Sequence, residues 1–88
     1  MSNTSKKNLQ TALKFVYSEN NSLSVIFHDN DLLMGVVGEF NKNLKELEKI
    51  TGANLYSRGN SILIKSSPEK NEILKNAIQF LANQFKNN

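Results

Sequence analysis

Leu55-Tyr56-Ser57-Arg58-Gly59-Asn60-Ser61-Ile62-Leu63-Ile64 reads as a strand, a two-residue turn and a second strand. Gly takes positive φ freely and Asn tolerates it, so Gly59-Asn60 has the chemistry of a tight hairpin loop. That loop sets the register: Arg58 faces Ser61, Ser57 faces Ile62, Tyr56 faces Leu63 and Leu55 faces Ile64. Side chains alternate across a strand. Leu55, Ile62 and Ile64 therefore share one face, and Tyr56 and Leu63 share the other.

Beyond the hairpin, Ser67-Pro68-Glu69 opens a helix, with Ser67 as cap and Pro68 in the first turn, where its missing N–H costs nothing. Ile73, Leu74, Ala77, Ile78, Leu81 and Phe85 form its apolar stripe; Glu72, Lys75, Asn76, Gln79, Asn83 and Lys86 form its wet side. Before the hairpin, Gly52 sits where a left-handed residue ends a helix. That helix runs from Lys42 to Thr51 behind Asn41 as cap; Leu44, Leu47 and Ile50 make its buried stripe, and Lys42, Lys45 and Lys49 fall opposite. A shorter helix, Leu32 to Val37, is capped by Asn30 and stopped by Gly38. Leu23-Ser24-Val25-Ile26-Phe27 is a strand with Leu23, Val25 and Phe27 on one face. The segment before it fits two periods. Phe15-Val16-Tyr17 favours a strand from Ala12 to Ser18, closed by a turn at Glu19-Asn20-Asn21.

The order strand, helix, helix, strand, strand, helix predicts an α+β fold. A small three-stranded sheet, with room for one extra N-terminal strand, packs against helices on one face. At 88 residues the chain holds one domain. The expected division is a disordered polar tail over 1–8 and a single domain over 9–88.

Composition narrows the function. No cysteine is present, which excludes disulfides and thiolate chemistry. His28 is the only histidine, and it has no imidazole or thiolate partner for a typical zinc site. No P-loop pattern occurs. The expectation is a binding module with no catalytic residue, no metal and no cofactor in this chain. No apolar run approaches the roughly 20 residues that span a bilayer, and no signal-type apolar region follows the N-terminus, so the expected location is cytoplasmic and away from membranes. The net charge of +3 permits nucleic-acid binding without requiring it, and Arg58 is the only arginine.

Gly38-Glu39-Phe40-Asn41 joins two helices, the second of which closes on Thr51-Gly52-Ala53 ahead of the hairpin. This arrangement resembles a KH domain, a single-stranded nucleic-acid binder whose helix–loop–helix holds the backbone. More narrowly, three features are similar to the KH-like N-terminal domain of PhoH-family proteins. They are Gly38-x-x-Asn41-x-Asn43-Leu44, then Glu48-x-x-Thr51-Gly52, then Arg58-Gly59-Asn60 with Ile62 and Ile64 after it. The resemblance spans roughly Leu23 to Phe85. It implies an RNA-binding module whose contacts are Gly38, Glu39, Phe40, Asn41, Lys42, Asn43, Lys45, Arg58, Gly59 and Asn60. It also implies, if the chain is a fragment, a C-terminal P-loop ATPase domain as partner. The usual second loop glycine is Asn41 here, and Glu39 puts a negative charge where a phosphate would approach. Arg58 has two readings, a phosphate or base contact and a structural pairing. The alternative function is protein interaction or weak self-association. Its surface would be Ile26, Tyr56 and Leu63, an apolar patch on the sheet face away from the helices.

Overall fold

A computed structural model describes residues 13–87. The expected tail over 1–8, and Leu9 and Ala12 with it, lie outside the described residues. The chain runs β1 (Leu13–Tyr17), β2 (Ser22–Phe27), α1 (Asn30–Val37), a 3-10 turn (Glu39–Asn41), α2 (Lys42–Thr51), β3 (Asn54–Arg58), β4 (Ser61–Lys65) and α3 (Pro68–Asn87). The fold is α+β. The extra N-terminal strand forms, so the sheet has four strands, in the order β1-β2-β4-β3, every neighbouring pair antiparallel.

The β3–β4 register is the one the turn dictates, with Arg58 opposite Ser61 and Leu55 opposite Ile64. Positive φ is confined to Gly59, as in a II′ rather than an I′ turn. Asn60 does different work from the positive-φ role expected of it. Its carbonyl accepts from Phe27 N–H at 2.8 Å and its Nδ2 donates to Phe27 O at 3.3 Å. The turn is thereby tied to the end of β2.

Alternation puts Leu13, Leu23, Val25, Phe27, Leu55, Ile62 and Ile64 on one sheet face, all buried. Leu32, Leu33, Val36 and Val37 of α1, Leu44 of α2, and Leu74, Ile78 and Ala82 of α3 close over them. Each such aliphatic side chain contributes about 1.5–3 kcal/mol on burial.

Three expectations for α1 and α2 need correction. Asp29, not Asn30, caps α1: its carboxylate accepts from Asp31 N–H at 2.9 Å and Leu32 N–H at 3.4 Å. The chain leaves extended geometry at Asp29, and an anion there suits the positive helix end. Asn41 occupies the position before α2, but its side chain makes no capping bond. Ile50 is 69% exposed. At about 100° per residue it lies about 120° round the helix from Leu44. The inward side of α2 continues instead through Leu47, Glu48 and Thr51, all half-buried. Glu48 accepts from the β3 amide of Leu55 at 2.8 Å, and Thr51 Oγ1 donates to Leu47 O. Gly52 ends the helix in left-handed geometry as expected, its N–H on Glu48 O.

On α3, Ser67 caps through Lys70 N–H. Its buried line is Asn71, Leu74, Ile78 and Ala82; of the expected stripe Ile73 is largely exposed, while the Phe85 ring lies against Gly35 of α1. Asn71 donates from Nδ2 to Asn21 O at 2.6 Å, which pins α3 to the β1–β2 turn. Next to it, the Tyr17 hydroxyl donates to the Glu72 carboxylate, and Lys75 lies over the Phe15 ring at 5.4 Å.

Candidate nucleic-acid interface

The α1–α2 connection is built from unusual backbone. Gly38 has φ 77 and ψ 173, and its N–H closes α1 on Met34 O. A β-carbon there would sit 2.9 Å from Asn43 Nδ2, in a conformation that L residues avoid. Asn43 Nδ2 donates to Val36 O at 3.0 Å. Asn43 is therefore half-buried and shapes the loop from inside. Phe40 and Asn41 follow, both left-handed, at φ 54 and φ 59. Such geometry costs a non-glycine residue about 1–2 kcal/mol.

The result is a ring held out from the fold: Phe40 is 91% exposed. It stands at the head of an open groove of about 380 Å³ lined by Glu39, Phe40, Lys42, Lys45, Glu46 and Lys49. Lys42, Lys45 and Lys49 align because positions three and seven apart share a helix face. Glu46 lies among them and offsets part of their field. Glu48, next in sequence, is turned inward onto β3 and leaves the groove more cationic than the sequence indicates. The start of α2 has no side-chain cap, and its first N–H, that of Lys42, donates to Glu39 O in the 3-10 turn.

A larger groove, about 690 Å³, lies on the other side of the loop, along α1. Asp29, Asp31 and Glu39 line it together with Met34 and Phe85. Its carboxylates make it unsuited to a polyanion.

The expected site divides in two. Gly38, Glu39, Phe40, Asn41, Lys42, Asn43 and Lys45 are contiguous around the loop. Arg58, Gly59 and Asn60 are not with them. Asn60 binds Phe27, where β2 runs into α1, whereas Gly38 lies at the far end of that helix. Eight helical residues put about 12 Å between those ends. Arg58 instead projects from the outer sheet face, the face of Ile26, Tyr56 and Leu63. Lys49, on the same helix face as Lys42 and Lys45, completes the groove. His28 is exposed. Among the described residues no cluster of His, Asp and Glu is disposed to hold a metal, and no helix is long and apolar enough to cross a membrane.

Compared with family models, with curated proteins and with solved structures, the chain matches none.

Proposed function

We propose that this chain is a single-stranded RNA-binding module of KH-like build, of the kind that precedes the ATPase of PhoH-family proteins. The element order from β2 to α3 and the glycine-opened loop between two helices support this reading. The observation that carries it is Phe40: an aromatic ring 91% exposed, on left-handed backbone, at the head of a lysine-lined groove. An exposed ring on a strained loop brings the folded domain no compensation of its own. It gains a role when a base stacks on it, worth about 1–3 kcal/mol. Lys42, Lys45 and Lys49 then meet the phosphates. Glu39 repels phosphate at the loop, so backbone contacts shift down the groove toward the lysines. This chain supplies binding and no catalytic step; hydrolysis would belong to a following ATPase domain. A cytoplasmic location goes with that role.

Titration of the chain with single-stranded RNA, followed by NMR at low salt, tests the reading. Amide shifts are expected around Gly38–Lys45, with affinity falling as salt rises. Phe40→Ala should weaken binding about tenfold, in line with the loss of one stacked base. No shift in that region at millimolar RNA would overturn the reading.

A further inference from the structure

The outer face of the sheet is a second surface with a chemistry of its own. The four strands carry Lys14, Arg58 and Lys65 as their charged residues and no acid. Strand pairing puts all of these cations on the outer face. One cross-strand row reads Lys14, Ile26, Ser61, Arg58; the next reads Val16, Ser24, Leu63, Tyr56. Lys65 lies one row further, between Ser22 and Asn54. Tyr56 is 46% and Val16 40% exposed, and Ile26 and Leu63 are half-buried. From β1 to β3 the face is about 14 Å wide at ordinary strand spacing. The acids beside the sheet are Glu19 and Asp29, each two residues beyond a strand end, Glu48, which is turned onto the Leu55 amide, and Glu72, which takes the Tyr17 hydroxyl.

We propose that this face is a second contact surface for single-stranded RNA, with a base stacked on Tyr56 and phosphates held by Lys14, Arg58 and Lys65. The proposal rests on the RNA-binding reading and extends it to the opposite side of the fold. An antiparallel sheet face with an exposed aromatic is a platform for unpaired bases. Ser24 in the Tyr56 row and Asn54 in the Lys65 row offer hydrogen bonds to base edges, while the Ser61 hydroxyl donates to Arg58 O. The apolar centre is limited to Leu63 and Tyr56 with Ile26 diagonal to them, and cations and polar side chains flank it. Charge disfavours two other occupants. Residues 1–12 hold Lys6 and Lys7 and no acid, and a second copy of this face brings the same cations. Like charges repel in both cases.

The test is NMR titration of the 88-residue chain with a uridine oligonucleotide of about twelve nucleotides at low salt. Two groups of amides should shift, one over Phe40–Lys45 and one over Val16, Ser24, Tyr56 and Leu63. In Phe40→Ala the second group should persist. Tyr56→Ala should weaken the second group about tenfold, while Tyr56→Phe stays within about twofold of wild type. Lys65→Gln should lower the salt slope of that group by about one. These side chains are solvent-exposed, and circular dichroism verifies that each variant is folded. Shifts confined to the loop would overturn the sheet proposal and leave the loop reading standing; no shift on either surface would overturn both. Shifts of the sheet face by a polyglutamate peptide and not by RNA would overturn it in favour of an acidic protein partner.

Discussion

At the scale of single residues, Phe40 sets binding against stability. Its backbone is left-handed at φ 54 and its ring is 91% exposed, so nearly all of the conformational cost goes unrecovered in the free domain. Phe40→Gly removes that strain, of about 1–2 kcal/mol, and adds back the greater chain entropy of glycine, about 0.5–1 kcal/mol. The variant should be as stable as wild type or more so, by up to about 1 kcal/mol in urea denaturation. It should lose RNA affinity as Phe40→Ala does. A clear loss of stability would mean that the ring has an intramolecular partner. The Phe in this loop was legible in the sequence, but its left-handed backbone was not. Nothing local requires φ > 0 of a Phe; the requirement comes from closing the chain between Gly38 and the first turn of α2.

At the scale of elements, the β1–β2 hairpin is joined to α3 by few but specific contacts. Asn71 is fully buried, and its Nδ2 holds Asn21 O. Asn71 Oδ1 has no hydrogen-bond partner among the described residues. Asn71→Ala removes the donor and leaves the Asn21 carbonyl unpaired, a loss of about 1–3 kcal/mol. Amide hydrogen exchange should locate the damage, with residues 18–22 losing protection before β3 and β4. Uniform loss across the sheet would contradict this local role. The hairpins were legible from sequence because turn chemistry and alternation agree. Asn71 was not legible: a polar residue in the first turns of a helix reads as solvated until its partner, fifty positions earlier in the chain, is known. Ile50 misled for a similar reason, since its exposure depends on which side of α2 meets β3. The grouping of Arg58 with the loop failed because the Asn60–Phe27 bond holds the turn at one end of α1 and the length of that helix carries the Gly38 loop away from it.

At the scale of the whole molecule, a domain this small unfolds as a unit, so one bond between elements is read in its global stability. The Tyr17 hydroxyl bonds to Glu72 and its pKa is raised, first by that hydrogen bond, then by desolvation and by the carboxylate charge. A raised folded-state pKa means the folded chain holds this proton more tightly. The contribution is complete below the ordinary tyrosine value near 10 and is lost as pH rises through the higher folded value. Stability should therefore decline above pH 10, and Tyr17→Phe should remove that part of the decline. The effect is small because the pair is exposed. Urea midpoints at pH 8 and above pH 10 for both chains make the comparison.

The tie between Asn60 and Phe27 spans 33 residues. Each hairpin closes a short loop and forms within microseconds on its own. The seam between β2 and β4 is different, because α1, α2 and β3 lie between the two strands along the chain. Loop closure across that distance costs entropy before any contact repays it. The centre of the sheet should therefore be the last part to form, and substitutions in this seam should speed unfolding more than they slow folding in stopped-flow measurements.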